Sequence, residues 1–322
     1  MGHRLSPMGD LDLQQWATEA IDAVGDLYGR HGGERATHAK GTLCAGTFTA
    51  TSAAAELSRA GHLQGAPVDV RVRFSNGSGQ PASPDSEVDG RGMAVTFDLP
   101  DGTATDIVAL TLPVFFVRTP EDFLAFTRAR RPDPETGQPD FAKVGRFLEA
   151  HPEALPAIQA ALGARAPASY LECTYNGLHA FGLVNTAGAG TWVRWALEPD
   201  TPGDGLEPEE AAGRDPDYLQ TDLADRLADA PAGFTLVAVI AQGADPLDDP
   251  TAAWPPERER VAIGRLELTG LAFDREQDGD VLVFDPTRVV DGIECSDDPI
   301  LHARSWAYSE SVLRRTGVQR GF

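Results

Sequence analysis

Residues 297–317 read DDPILHARSWAYSESVLRRTG and contain the start and stop signals of a complete helix. Asp298 is a favourable N-cap residue, and Pro299 suits the first helical position because its missing N–H is not needed there. Gly317 can adopt the left-handed conformation that commonly ends a helix. The sequence therefore predicts a C-terminal helix over about 299–316.

This helix carries an unusual polar stripe formed by Arg304, Tyr308 and Arg315. Because a helix turns by about 100° per residue, offsets of four and eleven residues return to the same face. Taken singly, a tyrosine is more often a partly buried core residue, and surface arginine pairs contribute only ~0 to 1 kcal/mol. The stripe alone therefore leaves the function open.

Composition excludes several classes of protein. The 322 residues are 42% apolar, which is enough for a sizeable core, and 49 acidic against 27 basic residues give a net charge of -22. That charge argues against electrostatic binding of nucleic acid or anionic membranes. The three cysteines contain no C-x-x-C pair, so neither a disulfide framework nor a zinc site is indicated. No signal peptide or membrane span is recognisable, and we expect a cytoplasmic protein.

Short alternating segments separated by turn signals make up much of the chain. VDVRVRF (68–74) and GMAVTFDL (92–99) alternate apolar with polar residues and are followed by Asn-Gly and Asp-Gly turn sequences. About eight such strands, with helices between them and no internal repeat, predict an α+β fold built on an antiparallel barrel. We expect a single domain over 1–322, with a first helix at about 11–32 and the barrel and its inserted helices at about 40–285.

Several local sequences occur in the order and context typical of the haem catalases. They are ERATHAKG (34–41), VRVRFSNGSG (70–79), DGRGMAVTF (89–97), LPVFFVRTPEDFLAF (112–126), LHAFGLVN (178–185) and ARSWAYSESVLRRTG (303–317). From about residue 28 to 322 the chain resembles the small catalase-related peroxidases. The resemblance implies a catalase-like eight-stranded antiparallel β-barrel, surrounding helices and a C-terminal helix that carries the haem ligand.

The resemblance also implies a haem b cofactor and the residues that hold it. Tyr308 lies where the family has its iron ligand, and Arg304, one helical turn earlier, would place a permanent positive charge beside the phenol oxygen. His179 and Asp298 match a network next to Arg304 on the same side of the haem. The residues that would bind the haem propionates are Arg35, Arg73 and Arg315.

On the opposite side of the haem, His38 matches the family's distal base. Such a base takes a proton from peroxide and delivers it to the departing oxygen. Ser75 matches the residue that orients this imidazole, and Phe123 matches an aromatic residue beside the haem ring. Two positions depart from typical catalases: Thr111 replaces a distal asparagine, and Thr37 replaces the valine before the histidine.

These residues predict a haem peroxidase that reduces hydrogen peroxide or organic hydroperoxides with a small organic reductant. Because the Thr111 side chain is shorter than asparagine, we expect only weak catalase activity. Thr37 beside His38 resembles the catalase-like allene oxide synthases, so a fatty-acid hydroperoxide isomerase or lyase is an alternative. A true minimal catalase and a specialised biosynthetic oxidation are further alternatives. A haem sensor or carrier would not need His38, whose presence favours catalysis.

The resemblance also predicts the assembly. Full-length catalases form tetramers by exchanging arms that the given sequence lacks, so we expect a homodimer. They also continue into a helical domain beyond the ligand helix. We therefore expect no bound NADPH.

Overall fold

Antiparallel pairing dominates the structure, a computed structural model that describes residues 10–273 and 281–317. In those residues the strands are β1 (Gly41–Ala50), β2 (Val68–Ser75), β3 (Gly92–Asp98), β4 (Ala104–Leu110), β5 (Tyr175–Asn176), β6 (Phe181–Val184), β7 (Gly190–Pro199), β8 (Ala232–Ile240), β9 (Arg260–Leu271) and β10 (Ile293–Cys295). The α-helices are α1 (Asp10–Tyr28), α2 (Ser52–Leu57), α3 (Pro120–Ala129), α4 (Phe141–Ala150), α5 (Leu155–Gly163), α6 (Pro208–Ala212), α7 (Tyr218–Asp229) and α8 (Pro299–Thr316).

The strands close into an eight-stranded barrel, in which the short β5 and β6 together occupy the place of one strand. The strands pair in the order β1, β2, β3, β4 and β5, and β5 and β6 then pair with successive parts of β7. The circuit closes because β7 pairs with β8, β8 with β9, and β9 with β1. The short β10 adds to β6. The predicted eight-stranded antiparallel barrel is therefore confirmed.

The two helices predicted from the sequence, α1 and α8, are both present. Helix α8 spans Pro299–Thr316, the predicted range, and Gly317 follows it with φ of +67°. Helix α1 ends at Tyr28, four residues before the predicted boundary of 32, because Gly29 adopts φ of +88° and reverses the chain. No helix among the described residues has both the length and the apolar character needed to cross a membrane.

Strand β2 separates the barrel core from a second buried face. Its Val72 and Phe74 belong to the core, where the Phe74 ring stacks on Tyr170 with centroids 5.5 Å apart. Because alternate residues of a strand point to opposite faces, Arg73 and Ser75 point away from this core. They are nevertheless buried, with 6% and 4% of their surface exposed. Polar residues of β2 thus lie between the barrel and the segments packed outside it.

Helices α1, α3 and α8 pack together outside the barrel. Trp16 and Ala20 of α1 form an apolar cluster with Ala303 of α8, and Phe123 of α3 packs against it. The Trp16 indole N–H also donates a hydrogen bond of 2.6 Å to the carbonyl of Pro120, at the start of α3. These contacts fix α8 relative to the residues that precede the barrel.

Gly264 of β9 should not tolerate a methyl group. A Cβ atom on Gly264 would overlap the ring of Phe48 in the barrel core, whereas one on Gly270 of the same strand would have no atom within 4 Å. We expect Gly264→Ala to lower the free energy of unfolding by about 1–3 kcal/mol through overpacking. The control, Gly270→Ala, should change it by less than about 0.5 kcal/mol. Urea unfolding measures both, and equal losses would contradict the steric explanation.

Candidate active site

Helix α8 brings the predicted arginine-tyrosine pair into direct contact. The Nε and Nη2 atoms of Arg304 donate hydrogen bonds of 2.8 and 2.5 Å to the phenol oxygen of Tyr308. The two residues are four positions apart, so they lie one above the other on the helix surface. Because a guanidinium group stays charged at any ordinary pH, a fixed positive charge lies against this oxygen.

The pair is continued by a buried histidine and carboxylate. Nη1 of Arg304 lies 3.0 Å from Nε2 of His179, and Nδ1 of His179 lies 2.6 Å from Oδ2 of Asp298. A guanidinium group can only donate, so His179 accepts through Nε2 and donates from Nδ1 to Asp298. Burial is the main cause of a lowered pKa of His179, with Asp298 acting in the opposite direction. The four residues form one continuous chain.

Asp298 also starts helix α8. Its Oδ1 atom accepts hydrogen bonds from the backbone N–H groups of Ile300 at 2.8 Å and Leu301 at 3.3 Å. One carboxylate therefore caps the helix with one oxygen and holds His179 with the other. The orientation of the helix and the chain leading to Tyr308 depend on the same buried group.

His38 lies in an unusual backbone conformation before β1. Its φ of +54° is uncommon for a residue with a side chain. The conformation is held because its N–H donates to the carbonyl of Gly77 at 3.3 Å and its carbonyl accepts from Nη1 of Arg73 at 2.9 Å. The ring is hydrogen-bonded through Nδ1 to Oγ of Ser75 at 3.0 Å. The predicted His38–Ser75 pair is thus formed.

The surroundings of His38 favour a neutral imidazole. Burial lowers the pKa of His38 to about 3, and the positive charges of Arg73 and Arg304 act in the same direction. A neutral imidazole can accept a proton, which is the state that a general base requires.

The arginines predicted to bind the propionates lie in one region. Nη2 of Arg35 and Nη2 of Arg315 both donate to the carbonyl of Leu282, at 2.9 and 3.3 Å. Arg73 contacts the carbonyls of His38 and Ala39. The positive charges of Arg73 and Arg35 also act on His38. A phenol oxygen, a neutral imidazole and several guanidinium groups are together the donor types that an iron porphyrin with two carboxylates needs. The donor set of this site therefore fits haem.

The other predicted residues have different surroundings. Phe123 lies in an aromatic cluster, with its ring 6.0 Å from Trp16 and 5.9 Å from Phe116. Oγ1 of Thr111 accepts a hydrogen bond of 3.1 Å from the backbone N–H of Arg91. In residues 10–273 and 281–317 the Thr37 hydroxyl makes no hydrogen bond, so it does not restrain the neighbouring His38 in this part of the structure.

The structure adds residues that sequence reasoning did not assign. Asp89 accepts from the backbone N–H groups of Gly77 and Ser78 at 2.7 and 3.0 Å and pairs with the buried Arg91. Asp89 thereby fixes the carbonyl that binds the N–H of His38. The sequence offered one sign of this role: DGRGMAVTF carries two opposite charges, Asp89 and Arg91, next to a strand. Charged groups that are buried need partners, so a structural ion pair could have been predicted there.

Comparison with known proteins assigns this arrangement to a family. A family model described as Catalase matches residues 18–320. The chain belongs to the catalase family. This result confirms the family resemblance drawn from the motifs, and membership implies a haem cofactor.

Two relatives resemble the chain over most of their length. A catalase-related peroxidase of Mycolicibacterium paratuberculosis is 45% identical over 304 residues, which are 94% of this chain and 96% of the relative. A catalase-related peroxidase of Synechococcus elongatus is 34% identical over 298 residues, 92% of this chain and 88% of the relative. The crystal structure of a fungal catalase shares the fold with a TM-score of 0.81 and 25% identity. The match covers 99% of this chain but 66% of the fungal catalase.

Substitutions at Asp298 should separate its two roles. In Asp298→Asn the remaining side-chain oxygen can still cap α8, whereas Asp298→Ala removes both the cap and the partner of His179. We expect Asp298→Ala to lower the free energy of unfolding by about 1 kcal/mol more than Asp298→Asn does, the usual value of an N-cap. Urea unfolding of both variants and the parent protein tests this, and equal losses would show that the cap contributes nothing.

The lowered pKa of His38 should make the folded state sensitive to acid. An unfolded chain protonates this histidine near its ordinary pKa of 6.5, whereas the folded protein resists protonation down to about pH 3. The unfolded state binds the additional proton, so stability falls as the pH decreases from about 6.5 towards 3. We expect His38→Gln to lose less unfolding free energy than the parent between about pH 7 and about pH 4.5. Denaturant titrations at both pH values measure this loss, and an unchanged difference would contradict the assignment.

Proposed function

We propose that the protein is a haem-dependent peroxidase. It reduces hydrogen peroxide or organic hydroperoxides with a small organic reductant and has weak catalase activity. The proposal is supported by family membership and by relatives named catalase-related peroxidase. Two molecules of water form from one hydrogen peroxide molecule and two hydrogen atoms taken from the reductant.

The observation that carries this proposal is the His38–Ser75 pair. A protein that only carried haem would need the Arg304–Tyr308 pair but no base on the opposite side. Here a base is present, held at 3.0 Å by Ser75 and kept neutral by burial and nearby arginines. This arrangement has a use in proton transfer and none in storage.

We further propose haem b as the cofactor. Tyr308 would bind the iron through its phenol oxygen, with Arg304 as the neighbouring positive charge. Phe123 would lie beside the ring on the side of His38. The residues that would pair with the propionates are Arg35, Arg73 and Arg315. Haem would supply the electrons for cleavage of the peroxide O–O bond.

Proton transfer is the task of this chain's own residues. Neutral His38 would accept a proton from one peroxide oxygen and return it to the other, so that water leaves instead of hydroxide. Ser75 holds the ring at Nδ1, which leaves Nε2 for this exchange. His179 and Asp298 would keep the guanidinium of Arg304 in place against Tyr308 throughout turnover.

Thr111 is the residue that favours reductant-dependent turnover. Its Oγ1 atom is held by the N–H of Arg91, and its N–H donates to the carbonyl of Arg91 at 3.0 Å. The hydroxyl is thus held by the residue that precedes β3 and is shorter than the asparagine amide of typical catalases. Weaker polarisation of a second peroxide molecule would slow disproportionation and leave time for an organic donor to react.

The alternatives rest on fewer observations. The alternative activity, a fatty-acid hydroperoxide isomerase or lyase, depends on Thr37, whose hydroxyl makes no hydrogen bond to His38 among the described residues.

Four further properties stay predictions. They are the homodimer, the cytoplasmic location, the absence of NADPH and the extent of a single haem domain over 1–322.

The test compares two products in one experiment. Haem-loaded protein receives hydrogen peroxide while an oxygen electrode and a dye reductant report disproportionation and peroxidase turnover. We expect dye oxidation with little oxygen from the parent and a rise of about tenfold in the oxygen-to-dye ratio for Thr111→Asn, because an amide donor is restored. The control Thr111→Val should not raise the ratio, and His38→Gln should lower both rates by about 10²–10⁴.

Other outcomes separate the alternatives. Vigorous oxygen release by the parent would identify a true minimal catalase and contradict the role of Thr111. If neither oxygen nor oxidised dye forms, fatty-acid hydroperoxides become the substrate to assay. Full activity of His38→Gln would remove the base from the mechanism.

A further inference from the structure

Gly92 lies directly beneath the His38–Ser75 pair. It is the first residue of β3, is buried, and is paired with Ser75 of β2 on one side and Leu110 of β4 on the other. Its position in the sheet places its Cα hydrogen under the hydrogen bond that orients the distal imidazole.

The backbone of Gly92 does not require glycine. Its φ does not lie in the left-handed region, in contrast to Gly29 and Gly317. A residue with a side chain could therefore adopt the same backbone conformation within a strand. The reason for a glycine at this place must be the space above its Cα atom.

That space is taken by the two side chains of the distal pair. A Cβ atom on Gly92 would lie 2.7 Å from Oγ of Ser75, 3.0 Å from Nδ1 of His38 and 3.1 Å from Cε1 of His38. These are the three nearest atoms, and none belongs to the backbone. A methyl group would therefore press on both partners of the 3.0 Å hydrogen bond.

The backbones of Ser75 and His38 are both held in place, so neither residue can move away from an added methyl group as a whole. Ser75 is held in the β2 ladder opposite Gly41 and Gly92. The backbone of His38 is held at φ of +54° by Gly77 and by the buried guanidinium of Arg73. Two side-chain movements remain: Ser75 can rotate Oγ away, which breaks its hydrogen bond to Nδ1, or the imidazole can rotate, which displaces Nε2 at the opposite edge of the ring. Either movement changes the direction of Nε2.

We propose that Gly92 is a positioning residue for the distal base. The missing side chain lets the imidazole rest on β3 with Nδ1 on Ser75, and this contact sets the direction of Nε2. The inference rests on the proposed role of His38 as a proton acceptor. Errors of about 1 Å in such a group can lower a rate by about 10²-fold, so one methyl group should matter.

The experiment compares the Gly92→Ala and Gly270→Ala variants, each loaded with haem. Both glycines lie in β-strands. Gly270 has no atom within 4 Å of an added Cβ and serves as the matched control. The first readout is the rate of cyanide binding, because HCN must give its proton to a distal base as cyanide binds and no turnover is needed. The second readout is kcat and KM for hydrogen peroxide.

We expect Gly92→Ala to bind haem with a normal absorption spectrum, because the residues around Tyr308 are untouched. Its cyanide association rate and its kcat/KM should fall by about 10²-fold, whereas Gly270→Ala should match the parent. Parent rates in a folded, haem-loaded Gly92→Ala protein would overturn the inference.

If Gly92→Ala alone does not fold, the same substitution can be tested in a Ser75→Ala protein. Ser75→Ala removes the Oγ atom that would lie nearest to the new methyl group, but the contacts at Nδ1 and Cε1 of His38 remain. Gly92→Ala added to Ser75→Ala should therefore lower the cyanide rate by a further factor of about ten. Equal rates in the two Ser75→Ala proteins would overturn the inference.

The two readouts keep this inference separate from the proposed function. If the parent does not reduce peroxide, the proposed peroxidase activity fails. The cyanide rates of the same proteins still decide whether Gly92 positions His38. Peroxidase activity in the parent together with unaltered cyanide binding in Gly92→Ala would reject the role of Gly92 alone.

Discussion

The carboxylate of Asp298 is the group on which the site depends. A buried charge is unfavourable unless it is paired and hydrogen-bonded, and Asp298 is fully buried. The start of α8 supplies backbone donors to one oxygen and His179 supplies a ring N–H to the other. His179 can then only accept from Arg304, which turns that guanidinium towards Tyr308. A single desolvated charge thus sets a helix start, a histidine tautomer and an arginine orientation together.

On the opposite side of the site, an unusual backbone conformation orients the histidine, and buried charged groups support that conformation from behind. His38 has a positive φ, and the surrounding loops compensate by binding both its N–H and its carbonyl. Strand β2 connects this side to the core, since Phe74 packs inside the barrel while Arg73 and Ser75 face His38. The well-packed barrel interior therefore fixes the position of the His38 imidazole through Arg73 and Ser75.

Much of the arrangement was predictable because the relevant signals are local. Helix α8 has its cap, its first proline and its terminal glycine within one segment, and the four-residue spacing of Arg304 and Tyr308 brings them together in any helix. The alternating strands predicted an antiparallel barrel for the same reason. The roles of His38 and His179 came from the resemblance to haem catalases, since nothing near either residue in the chain distinguishes it from a structural histidine.

The amino-acid sequence alone indicated the two terminal helices, the strand-rich barrel and the residue types of the candidate site. How these residues contact one another follows from the packing of the folded chain. The contact of Arg35 and Arg315 with one carbonyl, the support of Gly77 by Asp89, and the space above Gly92 involve residues far apart in the chain. Helical periodicity and strand alternation describe neighbours along one element, whereas these contacts depend on strand register and on packing between elements. For that reason glycine at position 92 reads as an ordinary strand residue until Ser75 and His38 are placed above it.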